Sequence, residues 1–361
     1  MPNVHTKILK FSSACSTTSK GDGSTPGRTK DQRRSEGTQN QQVAEFKFQT
    51  NDTVAAERQS AMDNCPKIGA PTRCCMNLLS HHPAANHTEL KIGEPHATVV
   101  SIDYESGRPR LEQFTRELLR DHLLTFATKY SDHQGLEVNY DGLEQLAKAA
   151  KNVYGTKKYK NRGEFGELIL HALLESYFGT TIAVAKLAFK TARNETVKGF
   201  DAVHILNTDS GLEIWFGEAK FYTDANAAIR DITEEIEQHL SDSYMRDEFI
   251  PVTTMLDDCD PNKEAVKQLL NSRNTLDNIR ANLVIPALIT FECNTLTDPG
   301  LEQEAKYNIL SQTSMRLLQT FGSKLGPRAN KVRIQLILLP LESKQELLAS
   351  LHAGLTRYQG I

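Results

Sequence analysis

No run in this sequence comes near the roughly 18 apolar residues needed to span a bilayer, so a membrane-spanning helix is not expected. Met1 to Cys15 also lacks a long apolar stretch, which argues against a signal peptide. No Cys-x-x-Cys pair occurs among Cys15, Cys65, Cys74, Cys75, Cys259 and Cys293. That scattered usage suits a reducing cytosol better than a disulfide framework. An excess of positive charge is missing too: 42 Lys and Arg face 45 Asp and Glu, for a formal net charge of −3. The overall field therefore does not attract phosphate, and a nucleic-acid partner needs locally concentrated Lys and Arg.

What is present suffices for folding. The chain has 361 residues, 39% of them hydrophobic, enough for one large domain or two modest ones. Ser12–Thr18 and Gly21–Gln42 offer little to bury, and residues 61–95 mix Pro, Cys and His with little periodicity. Residues 1–92 therefore read as a low-complexity or irregular N-terminal extension. A zinc site from Cys65, Cys74, Cys75 and His81 or His82 fits no common finger spacing, so incidental thiols are the preferred reading.

Order is expected from about Ala97. Thr98–Asp103 reads as a strand, and Leu111–Ala127 and Asp141–Val153 as helices. A helix over Gly163–Phe178 should close at Gly179. Strands are expected at Ile182–Lys190, Phe200–Leu206 and Leu212–Phe221, the last two joined by the turn-forming Asn207–Gly211. Asp224 should cap a helix to about Leu240, and Glu264–Ile279 reads as the next helix. Leu283–Phe291 and Val332–Leu339 have the continuous apolar character of buried strands, a trait of parallel sheets. Leu301–Phe321 and Lys344–His352 supply further helices. The order indicates an α/β fold with a mixed central sheet flanked by helices.

One constellation carries chemistry. Glu218 and Lys220 alternate onto one face of their strand, among Trp215, Phe216 and Phe221, so their charges need partners. Asp201 opens the preceding strand, and an antiparallel hairpin sets it beside the end of the next. Two carboxylates brought together repel unless a cation or proton compensates, and a hard divalent cation takes oxygen ligands. Glu164, Glu167, His171 and Glu175 form a narrow polar stripe on an otherwise apolar helix; Glu167, then Glu164, is the choice to reach a metal or its water. Phosphodiester hydrolysis asks for such a set. Mg²⁺, or Mn²⁺ in its place, would be held by Asp201, Glu218 and the Ala219 carbonyl, with Lys220 orienting the water or stabilising developing charge.

Asp201 with Glu218-x-Lys220, after a helix bearing Glu167, resembles the PD-(D/E)xK nuclease superfamily, with its restriction-endonuclease-like core. Three longer segments resemble the HamA family, the nuclease component of the Hachiman bacterial antiphage system. They are Arg162-Gly163-Glu164-Phe165-Gly166-Glu167-Leu168, Lys198-Gly199-Phe200-Asp201-Ala202-Val203-His204 and Phe216-Gly217-Glu218-Ala219-Lys220-Phe221-Tyr222. The likeness runs from about residue 97 to the end, which implies a HamA-like domain over 93–361 with a nuclease core at about 161–340. Phe200 stands where the superfamily pattern has Pro. The resemblance implies DNA degradation with little sequence preference, restrained by a partner, the superfamily 2 helicase HamB. Nothing in composition or spacing points to that helicase.

Blander readings stand beside these. An isolated Glu-x-Lys is usually a cross-strand salt bridge. His204 falls on the face opposite Asp201 and reads as a hydrogen-bonded core histidine, whereas His171 is open to either a direct role or a structural one. The basic loop with Lys157, Lys158, Lys160 and Arg162 either holds the DNA backbone or is simply solvated. Glu234, Glu235 and Glu237 read as an exposed helix face. The main alternative function is a non-catalytic DNA-binding or regulatory subunit on a nuclease-like scaffold, and RNA stays open as a substrate.

Overall fold

A computed structural model describes residues 11–12, 85–91, 96–135, 140–153, 163–189, 199–298 and 300–360. The basic loop with Lys157, Lys158, Lys160 and Arg162 lies outside the described residues, as do Cys65, Cys74, Cys75, His81 and His82.

The principal elements run β1 (His96–Ile102), α1 (Leu111–Ala127), α2 (Tyr140–Val153), α3 (Glu164–Phe178), β2 (Thr181–Val184), β3 (Ala202–Thr208) and β4 (Gly211–Phe221). Then come α4 (Ala225–His239), α5 (Asp242–Met255), α6 (Lys263–Leu269), α7 (Leu276–Ala281), β5 (Leu283–Glu292), α8 (Gln303–Lys324), β6 (Arg333–Leu341) and α9 (Lys344–Gln359). Six strands make the central sheet in the order β1-β6-β5-β4-β3-β2. Neighbours from β1 to β4 are parallel; β3 and β2 are antiparallel to their neighbours. Outside β1 the sheet continues with Ala85–Lys91, antiparallel, and a two-residue pairing at Phe11–Ser12.

Alternation along the strands divides the core. Ile285, Ala287 and Ile289 of β5 face α4, α5 and α8, with Ile232, Ile236, Phe249 and Phe321. Val284 and Leu288 face α1, α3 and α9, with Leu119, Leu168, Leu170 and Leu351. Every residue of β5 except Glu292 is buried. Each fully buried Leu or Ile contributes about 1.5–3 kcal/mol relative to exposure, so two helical layers on one central strand supply the main driving force. The continuous apolar runs expected at β5 and β6 are thus parallel neighbours, covered on both faces. No helix among the described residues is long and apolar enough to cross a membrane.

Three expectations need correction, and one helix had no expectation. The strand expected over Ile182–Lys190 ends at Val184, where its register against β3 slips between Ile182 and Val184. The chain then makes a 3₁₀ turn at Lys186–Phe189 that buries Leu187 against α1 and α2. The single helix expected at Glu264–Ile279 is two. The Asn274 side chain caps the carbonyls of Gln268 and Leu269, and Thr275 starts α7 by accepting from the Asn278 amide. Helix α5 was not anticipated, because Pro251 lies inside it and Met245, Phe249 and Val252 form only a narrow apolar stripe. Helix α9 runs to Gln359, beyond the expected end at His352.

Candidate functional site

The β3–β4 hairpin has a two-residue loop, Asp209-Ser210, and its register sets Ala202 opposite Gly217. A local turn therefore brings the start of one strand to the end of the next. Ile214 and Phe216 point to the α4 side, and strand alternation sends Glu218 and Lys220 the same way. Val203 and Ile205 share that side, which places Asp201 there as well.

Asp201 Oδ2 accepts a hydrogen bond from the Ala219 amide at 2.9 Å. Glu218 is buried, and its Oε1 lies 2.6 Å from His239 Nδ1. The His239 ring stacks on Tyr244, with centroids 4.2 Å apart, and meets Phe200 edge-on. Lys220 forms an ion pair with Glu235. Lys186 donates to the Phe200 carbonyl and lies 3.5 Å from Glu248 Oε1.

Among the described residues the electrostatics express a shortage of positive charge. Burial pushes the Glu218 carboxyl well above its ordinary value, and Asp201 and Glu235 push it further. Burial likewise raises Asp201, with the Ala219 amide, Lys220 and Lys186 pulling back. Burial opposes the charge on Lys220, but Glu235, Glu218 and Asp201 together hold its ammonium above the usual value. Burial also raises Glu248. Among the described residues, two lysines, Lys186 and Lys220, thus face four carboxylates, Asp201, Glu218, Glu235 and Glu248. The hydrogen bonds to Ala219 and His239 each occupy one oxygen and leave a second on Asp201 and on Glu218. A hard divalent cation with oxygen ligands fits that donor set and that charge deficit.

Asp201, Ala219, Glu218 and Lys220 are therefore brought together, and the Ala219 amide is what Asp201 engages. Glu167 sits in the first turn of α3, whose Gly166 packs over Phe221 and Ala219. Glu164 starts the same turn. The acid beside Lys220 is Glu235, from the opposite helical layer.

The exposed reading of Glu234, Glu235 and Glu237 holds for Glu234 alone. Glu235 turns to Lys220, and Glu237 Oε1 accepts from Arg328 Nη1 at 2.9 Å. Sequence reasoning also missed His239, Lys186 and Glu248. The available signal was the i, i+4 spacing of Glu235 and His239 beside Ile232 and Ile236. His204 is a buried core histidine as expected, with Thr180 Oγ1 at 2.9 Å and His171 Nδ1 at 3.0 Å. His171 does not approach Asp201; it joins His204 on the α3 side of the sheet. Burial holds both rings down to about 3, so they are neutral at physiological pH.

Two glycines make the geometry possible. At Gly217 a Cβ would press on Leu170 at 2.8 Å and Ala202 at 3.1 Å, so its absence lets α3 seat against the strand that carries Glu218. Gly199 has φ +103° and backs onto the Glu248 carboxylate. Gly199→Ala is expected to cost about 1–3 kcal/mol of stability, read as a lower urea midpoint at unchanged slope. It should also weaken divalent-cation binding, because it displaces Asp201 two residues on. An unchanged midpoint would refute this account of Gly199.

Compared with protein families, the chain matches the HamA profile over residues 79–355. That match starts before residue 97 and takes in the strand Ala85–Lys91. No curated protein matches the chain. With most of its length covered, the chain belongs to the HamA family, a component of the Hachiman antiphage defence system.

Proposed function

We propose that this chain is the metal-dependent DNA nuclease of its defence system, built on a PD-(D/E)xK core and cutting phosphodiester bonds with little sequence specificity. The observation that carries this reading is the pair of carboxylates, Asp201 and Glu218, with raised pKa values beside Lys220 at the end of one hairpin. Asp201, Glu218 and the Ala219 carbonyl would hold Mg²⁺ or Mn²⁺, which when bound acts as a Lewis acid and lowers the pKa of coordinated water. His239 fixes the Glu218 carboxylate through Nδ1. Lys220 carries a full charge and neutralises the negative charge that develops on the phosphate oxygens. Glu235 keeps that ammonium in place between encounters with substrate. Glu167 would hold a water at the edge of the site, and Lys157, Lys158, Lys160 and Arg162 would hold the DNA backbone. A HamB-like superfamily 2 helicase is the expected partner and restrains the enzyme.

Supercoiled plasmid incubated with the purified protein tests the reading. Nicking and linearisation are expected with Mg²⁺ and not with EDTA, and added helicase should suppress them. Equal cleavage under both metal conditions, or none with Mg²⁺ whether or not the helicase is present, would refute a metal-dependent nuclease.

A further inference from the structure

A second cluster of metal-ligating side chains is buried between α1 and α3, on the sheet face away from Asp201. His122 comes from α1; His171 and Glu175, one turn apart, come from α3. His122 Nδ1 lies 2.7 Å from Glu175 Oε2, and His171 Nε2 lies 3.3 Å from the same oxygen. One ligand atom from each residue lies within 4.8 Å of the other two, close enough to bind a metal ion. Both histidines are almost fully buried, at 2% and 1% exposure.

The outer nitrogens are also held. His171 Nδ1 is 3.0 Å from His204 Nε2, and the far side of His204 meets Thr180 Oγ1. His122 Nε2 is 3.2 Å from Ser176 Oγ. Each imidazole thus turns one nitrogen inward and has the other fixed from behind, as metal-ligating histidines do. Thr125 Oγ1 closes the remaining side, 2.8 Å from His171 Nε2 and 3.3 Å from Glu175 Oε2. A tetrahedral ion with bonds of about 2.1 Å spaces its ligands by roughly 3.4 Å. The His171–Glu175 spacing already matches, and the His122 ring needs to back away by less than about 1 Å.

We propose that His122, His171 and Glu175 form a structural zinc site that staples α1 to α3, with its fourth position toward Thr125. Two nitrogen donors and one carboxylate favour zinc over magnesium, so this site is chemically separate from the carboxylate pair.

Full-length protein, loaded with Zn²⁺ and desalted, should retain about one zinc per chain by elemental analysis. Chelation should lower its Tm, and Co²⁺ in its place should give the strong visible absorption of a tetrahedral site. Glu175→Gln and His122→Ala should lose the zinc, whereas Glu218→Gln should keep it. Zinc retained by either of the first two variants would belong elsewhere and would overturn the proposal. So would zinc far below stoichiometry in the wild type with a Tm indifferent to chelator. If the variants fail to fold, the Co²⁺ spectrum of the wild type decides, and weak octahedral bands would overturn it. Loss of zinc from Glu218→Gln would place the ion at the nuclease site and overturn it as well. Plasmid cleavage is scored separately, so either proposal can fail without the other.

Discussion

Lys220→Ala is expected to reduce Mg²⁺-dependent DNA cleavage by roughly 10²–10³-fold, the usual cost of removing one preorganised stabiliser of transition-state charge. The side chain is 13% exposed and pairs with Glu235. Among the described residues, its removal leaves Lys186 as the one lysine against Asp201, Glu218, Glu235 and Glu248. The variant should therefore also melt earlier than wild type in EDTA, because a buried carboxylate without a partner is costly. Added Mg²⁺ should restore part of that loss, since a ligand that binds only the folded state raises its stability. Circular dichroism melts beside the plasmid assay separate the two effects. Wild-type cleavage rates in a folded Lys220→Ala protein would remove this lysine from the mechanism.

Glu218→Gln should reduce cleavage at least as strongly but shift stability the other way. The folded-state pKa of Glu218 lies well above its ordinary value, mainly through burial and then through Asp201 and Glu235. Between the unfolded and folded values the folded chain thus keeps a proton that the unfolded chain has released. Stability linked to this group is present below the ordinary carboxylate pKa of about 4.3 and is lost as pH rises through the folded value. Gln has no charge to desolvate, yet its side-chain oxygen can still accept from His239 Nδ1. In EDTA at neutral pH the variant should be more stable by about 0.5–2 kcal/mol, as when a strained functional group is relieved. That corresponds to about 2–4 °C in Tm per kcal/mol for a domain of this size. The gain should vanish toward pH 4, and with Mg²⁺ the wild type should close the gap. A variant that melts below wild type in EDTA at every pH would show that the Glu218 charge is stabilising, contrary to this account.

Some of this was legible before any coordinates. The β4 strand and the capped helix α4 follow from alternation and from Asp224, whose Oδ1 accepts from the Ala227 amide. Helix α3 follows from its apolar face and from Gly179 at its end, with φ +66°. Helix α5 and the split of α6 from α7 were hidden. Pro251 breaks the usual rule, and the cap on α6 is a side chain five or six residues beyond the carbonyls it satisfies. Periodicity marks Glu167 as an acid on a buried helix but does not report which face of the sheet that helix covers.

The sequence by itself determined that Asp201, Glu218 and Lys220 meet. A two-residue turn joins their strands, and an antiparallel hairpin has one register that keeps its apolar faces inward. Only the tertiary structure decided what surrounds them. Glu235, His239 and Glu248 arrive from α4 and α5, and Lys186 from the turn after β2, because the α4 side of the sheet happens to cover that strand end. The same holds for His122, His171 and Glu175, whose meeting depends on how α1 docks on α3. Hairpin contacts are local and follow from the chain's own geometry. Contacts between layers depend on which buried surfaces fit each other, and that is a property of the whole core.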